Sequence, residues 1–208
     1  MNKGSEKIKH ITPAQAAPLL QMVNYFHPVS KKIQQYVTEH CYPYTIKRGK
    51  TLLKAGEICK NIYFINKGVL RGFIKEERKD ITTWITIENE MVTAISSFNL
   101  QVPAIETIQA LEDCELFGMS YTDLQNLYTQ FPEYNIVGRK VYEKYYLDAE
   151  IRALIARINK AEKKYDYFLK VHHSLANRVP LKFIASYLGM SLETLSRIRS
   201  KKLQSKKL

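Results

Sequence analysis

The sequence predicts an α+β fold. An N-terminal antiparallel β-barrel or jelly roll with flanking helices leads into a long dimerisation helix, and a small helical domain with a helix-turn-helix follows. Three observations point there. Short β-type runs recur at even spacing between Tyr44 and Met119, with glycine turns between many of them. Apolar residues then keep three- and four-residue intervals from about Pro132 to Ile158. Finally, the segment from Leu181 to Ser200 puts small, apolar and capping residues where two tightly crossed helices need them. The expected divisions are residues 1–130, 131–158 and 159–208.

In chain order, Pro13 to Val37 reads as one or two helices. The β-type runs are Thr51 to Leu53, Ile62 to Ile65, Val69 to Ile74, Ile81 to Ile87, Met91 to Ala94, and Glu106 to Met119. Turns are expected at Arg48-Gly49, Ala55-Gly56 and Asn66-Lys67-Gly68. Ser120 to Phe131 reads as a short helix, with Tyr121, Thr122 and Asp123 offering capping groups before Leu124 and Leu127. Pro132 opens the long helix, whose stripe is Val137, Val141, Tyr145, Leu147, Ile151, Leu154 and Ile158. Such a stripe packs either on its own barrel or against its twin in a dimer, and spacing does not separate the two. At least three helical stretches fill Asn159 to Leu208.

With 208 residues and 45% hydrophobic composition, the chain can bury a core for one large and one small domain. No apolar run reaches the roughly 18 residues that cross a bilayer, and Met1 to His10 is polar and lysine-rich, so a cytoplasmic location is expected. Cys41, Cys59 and Cys114 are far apart and lack metal-ligand spacing, which suits ordinary reduced thiols. Metal-dependent oxygenase chemistry in a jelly roll would need converging histidines and carboxylates. Here His10, His27 and His40 precede the strands while His172 and His173 follow them. Nor is there a GxSxG, a P-loop or a dinucleotide fingerprint, so no enzyme, metal or cofactor is expected.

The net charge of +12 is unevenly placed. Residues 1–150 hold 18 Lys and Arg against 17 Asp and Glu, a net of +1, whereas residues 151–208 hold 14 against 3, a net of +11. A segregated basic block suits a phosphate backbone or an anionic membrane surface. Membrane binding would also want large apolar residues beside the lysines, and Leu203 and Leu208 are too few.

The helix-turn-helix is read residue by residue. Pro180 can start the first helix, whose inner face is Leu181, Ile184, Ala185 and Leu188, with Ala185 small enough for a close crossing. Gly189 supplies the left-handed turn, Ser191 the cap of the second helix, and Glu193 a charge that favours its positive end. Leu195 and Ile198 point to the core, leaving Glu193, Thr194, Arg197 and Lys201 outside. In a major groove, Arg197, Glu193 and Thr194 are the base-reading candidates. Ser191, Ser196, Arg199, Lys201 and Lys202, with Lys206 and Lys207, are candidates for backbone phosphates.

Here the chain resembles the Crp/Fnr family of bacterial regulators over roughly residues 15 to 203. Val179 to Arg199 is very like that family's DNA-reading unit. Leu53-Lys-Ala-Gly-Glu57 and Ile62 to Arg71 are similar to its cyclic-nucleotide-binding-type barrel. The resemblance implies a homodimeric, sequence-specific transcription regulator that contacts double-stranded DNA and, as a further partner, RNA polymerase, with no membrane attachment. It departs from the family in three places. Leu192 stands where many members carry an arginine. Where cyclic AMP binders hold the ligand with a glycine-glutamate pair and an arginine followed by a hydroxyl residue, this chain has Thr93-Ala94 and Ala104-Ile105. That effector pocket is therefore expected to be degenerate, to bind no cyclic AMP in the usual way, and to leave its small-molecule effector unidentified. The wing after the recognition helix is expected to be short or missing, and clustered N-terminal iron-sulfur cysteines are lacking. An effector-binding sensor of the same fold without independent DNA binding is the alternative.

Overall fold

The computed structural model describes residues 10–205, so Lys206, Lys207 and Leu208, like most of the lysine-rich N-terminus, lie outside the described residues. The elements are helices α1 (Pro13–Phe26) and α2 (Lys31–His40), then strands β1 (Tyr42–Ile46), β2 (Thr51–Leu53), β3 (Asn61–Lys67), β4 (Leu70–Glu76), β5 (Lys79–Thr86) and β6 (Met91–Val92). Helix α3 (Ile95–Leu100), strands β7 (Thr107–Ala110) and β8 (Cys114–Ser120), and helices α4 (Tyr121–Gln130), α5 (Tyr134–Arg157), α6 (Ala161–Val171), α7 (Leu181–Tyr187) and α8 (Leu192–Ser205) follow. The expected α+β architecture is present, with the strands in antiparallel sheets instead of a closed barrel.

The chain forms two compact units. The first takes the residues up to Leu70 together with Thr86–Tyr142. Its α1 opens on a capping box, in which the Gln15 amide donates to the Thr12 hydroxyl at 3.3 Å and the Thr12 amide to the Gln15 side chain at 2.9 Å. Strands β1, β8, β3 and β6 lie in that order in one sheet, with Tyr42 opposite Gly118 and Phe64 opposite Phe117. The Phe64 and Phe117 rings stack 6.3 Å apart in the core beside Ile65 and Leu116. β2 pairs with β7. The turn before β4 requires Gly68, at φ +107°, because a Cβ there would meet Cys114 Sγ at 2.5 Å.

Several local features differ from the sequence reading. The single run expected from Glu106 to Met119 is two strands, because the chain turns where the Leu111 amide bonds to Val69 O (2.8 Å) and Asp113 receives the Arg48 amide (2.9 Å). β1 begins at Tyr42, ahead of the expected region. Helix α3 was not foreseen. It buries Phe98 and Ser97, and the Ser97 hydroxyl accepts from the Cys59 amide at 2.8 Å. Ser120 itself caps α4 by accepting from the Asp123 amide at 3.0 Å, and Asp123 answers as its side-chain partner. All three cysteines are free and buried.

The second unit comprises Arg71–Ile85, most of the β4–β5 hairpin, and Glu143–Leu208. Its core gathers Ile155 of α5, Tyr165 and Phe168 of α6, Leu175 and Ala176 of a 3-10 turn (His173–Asn177), Ile184 and Ala185 of α7, and Leu195 and Ile198 of α8. Phe168 is the hub, with Tyr165, His172 and Tyr187 around it at ring distances of 6.3, 5.5 and 5.8 Å.

Candidate nucleic-acid interface

Helix α7 begins immediately after Pro180 and buries Ile184, Ala185 and Leu188, while Leu181 stays half-buried. It ends in a paired-carbonyl cap. The Met190 amide returns to Ala185 O (3.0 Å) and the Gly189 amide to Ser186 O (3.1 Å), with Gly189 at φ +62°. Lys164 of α6 donates to Leu188 O at 3.1 Å, so the turn is also tied to the preceding helix. The Ser191 hydroxyl accepts the Thr194 amide at 3.1 Å and donates to the Thr194 hydroxyl at 3.0 Å, starting α8 as expected. Leu195 and Ile198 are buried.

The opposite side of α8 is open. Ser191, Leu192, Glu193, Ser196 and Arg197 are exposed, and Thr194 is half-exposed. Arg197 has no hydrogen-bond or ion-pair partner among the described residues, so its five donors face solvent. The Glu193 backbone amide, with a smaller contribution from the Ser191 hydroxyl, holds the Glu193 carboxyl below the usual carboxylate range. The remaining predicted contacts are engaged within the unit. Arg199 is half-buried and donates to Ala176 O at 3.2 Å. Lys201 reaches Glu162 at 3.4 Å, and Lys202 forms an ion pair with Asp166. α8 extends to Ser205.

Sequence reading gave the two strands of the β4–β5 hairpin, as Val69 to Ile74 and Ile81 to Ile87, but not their contacts with α7. The Arg71 guanidinium is 2% exposed and lies between the rings of Phe73 (4.1 Å) and Phe183 of α7 (3.9 Å). It pairs with Asp80 at 2.8 Å and donates to the Thr82 hydroxyl at 3.2 Å. Burial lowers the Arg71 pKa while Asp80 opposes the shift. Ser186 of α7 accepts the Thr82 amide (2.9 Å) and donates to Asp80 O (3.1 Å). No local signal marks the partners on α7, since Ser186 lies 104 residues from Thr82 and 106 from Asp80 along the chain.

The four expected effector positions differ in exposure. Ala94 and Ala104 are buried, Ile105 is 78% exposed, and Thr93 lines a cavity. The Thr93 hydroxyl donates to Asn61 O at 3.1 Å and lies 3.2 Å from Cys59 Sγ. The cavity, of about 160 Å³, is walled by Leu53, Lys60, Tyr63 and Ile108 among others. That is below the ~300 Å³ at which ligand pockets commonly start. Among the described residues no cluster of three or more His, Cys, Asp or Glu could hold a metal, and no helix is long and apolar enough to cross a membrane.

Residues 44–131 match the cyclic nucleotide-binding domain family. Over 165 residues the chain is 27% identical to the fumarate and nitrate reduction regulatory protein of Yersinia pestis, covering 74% of this chain and 65% of that one. The chain spans a little under two thirds of the length of the curated relatives it matches. The fold matches FixK2 from Bradyrhizobium japonicum at 16% identity and a TM-score of 0.67, covering 79% of this chain and 85% of the other. It also matches a Crp/Fnr-family transcriptional regulator from Eubacterium rectale at 16% identity and a TM-score of 0.66, covering 86% and 88%. The cyclic nucleotide-binding-type β unit in the first unit, together with the curated relative at 27% identity and the shared fold, makes this chain similar to regulators of the Crp/Fnr type.

Proposed function

We propose that this protein is a homodimeric, sequence-specific regulator of transcription that reads double-stranded DNA with α8. The observation that carries the reading is the open side of α8, where Arg197 and Glu193 stand exposed on a helix whose inner residues are buried. Arg197 would donate to a guanine edge, Glu193 accept from cytosine, and Thr194 reach a base or phosphate. Ser191, Ser196, Arg199, Lys201 and Lys202 would hold phosphates. The lysine ion pairs do not forbid this. Lys201 and Glu162 are 76% and 59% exposed, and pairs this exposed contribute at most ~1 kcal/mol, so phosphate can displace the carboxylate.

The dimer would form along α5, where Tyr142, Tyr146, Leu147 and Leu154 are exposed apolar residues on one continuous helix. Two recognition helices would then meet a palindromic site about one DNA turn apart, roughly 34 Å. Cyclic AMP would not bind in the family's usual way, because Ala94 supplies no acid for the ribose and Ala104 no cation for a buried cyclic phosphate. The site of action would be the cytoplasm, with RNA polymerase as a further partner. A sensor without independent DNA binding is the second reading, favoured by the engagement of Arg199, Lys201 and Lys202 inside the unit.

Arg197→Ala separates the two. On a duplex selected by the wild-type protein, the variant should lose about 1–3 kcal/mol of preference over a scrambled duplex. Equal loss on both duplexes would contradict the base-reading role of Arg197.

A further inference from the structure

We infer that Arg71, Asp80 and Ser186 are positioning residues for the recognition helix, because they clamp the β4–β5 hairpin onto α7 and so fix the pose in which α8 meets DNA. The inference rests on the DNA-reading function proposed above. Its ground is a cluster built like a pin. Arg71 is a deeply buried cation with aromatic rings on both faces, one from its own strand and one from α7. A buried cation is costly to move out of register with its carboxylate, so the pair resists a shift of the hairpin. Asp80 supplies that carboxylate, and the Thr82 hydroxyl accepts a further bond.

A second set of bonds fixes the same register. The Thr82 amide and the Asp80 carbonyl both meet one hydroxyl, that of Ser186. Phe183 and Ser186 lie three residues apart on α7 and so share a face, distinct from the one that buries Ile184, Ala185 and Leu188. The clamp therefore grips α7 from one side while the core grips it from another. It leaves Glu193 and Arg197 exposed, so the clamped arrangement is compatible with DNA binding. At both ends the hairpin runs covalently into residues of the first unit, at Leu70 and Thr86.

The test uses the full chain with Ser186→Ala, which removes one hydroxyl and leaves Arg71 paired, and Ser186→Thr, which keeps the hydroxyl. Amide exchange of Thr82 is measured first. Each protein is then used to select from a duplex library in which the wild-type half-sites are separated by varied spacers. Ser186→Ala should speed exchange at Thr82, retain the wild-type half-site, and lose roughly two- to tenfold of its preference for the best spacer, the worth of one net hydrogen bond. Ser186→Thr should restore both readings. Unchanged exchange at Thr82 overturns the clamp. Faster exchange with an unchanged spacer preference, even with uniformly weaker binding, reduces Ser186 to a stabilising residue and overturns the positioning role. A wild-type chain that selects no duplex removes the DNA-reading function and this inference together, whereas the other two failures leave that function standing.

Discussion

At Cys41 the cost of burying an ionisable group can be measured directly. The thiol is 2% exposed at the end of α2, and burial, with a smaller contribution from the Asp123 charge, raises its pKa from 9.0 to about 12. The unfolded chain loses this proton first. The stabilisation from keeping the thiol neutral is therefore complete below pH 9.0 and is lost as pH rises through about 12. Cys114, pushed up to about 11, adds in the same direction. Denaturant midpoints of wild type should accordingly fall between pH 9 and 11 more steeply than those of Cys41→Ala. Identical slopes would show that the Cys41 thiol is not shielded.

Single side chains also explain what was readable at this scale. Ser191, Gly189, Ala185 and Leu195 do what their residue types do within a few positions of themselves, so their roles followed from sequence. Arg71 could not be read this way. In isolation it looks like a solvated surface cation, and its burial depends on Phe183 and Asp80 arriving together.

Among the elements, the α7–α8 turn is the one whose sequence and geometry agree most closely. Gly189 has room around it, since a Cβ added there would meet only Lys164 Nζ, at 3.7 Å, so the demand for glycine is conformational and not steric. Gly189→Ala should thus destabilise the chain by about 1–2 kcal/mol, the cost of a left-handed L-residue, without moving the core. Thermal unfolding checks this, and a loss above roughly 3 kcal/mol would mean that packing is disturbed as well. The long helix was legible for the same reason, since its periodicity is local. The stripe itself divides in the structure. Val137 is buried and Val141 and Tyr145 are half-buried, whereas Leu147 and Leu154 remain open and Ile155 turns inward instead. Helix α3 was illegible because Ile95 to Leu100 is short and its anchor, the Ser97 hydroxyl, bonds to Cys59 far back in the chain. The β7–β8 break was hidden likewise, being set by Val69 and Arg48.

For the whole molecule, the arrangement predicts an assembly. Leu147 and Leu154 are 56% and 53% exposed, seven residues apart on α5, a spacing that lets two such helices share a seam. Replacing both with glutamate should convert a dimer to a monomer in sedimentation equilibrium, with little change in the far-ultraviolet spectrum. A double variant that sediments as wild type would place the seam elsewhere. Such a monomer would also lose most of its DNA affinity, because each recognition helix then binds without its tethered twin.

The most direct test of the central claim is selection from a random duplex pool by the purified protein at near-physiological salt, followed by sequencing of what is retained. A two-fold symmetric motif with half-site centres about 10 base pairs apart is the predicted result. Retention of no sequence preference, without ligand and again with cyclic nucleotides, would contradict the account and leave a sensor of this fold that does not read DNA.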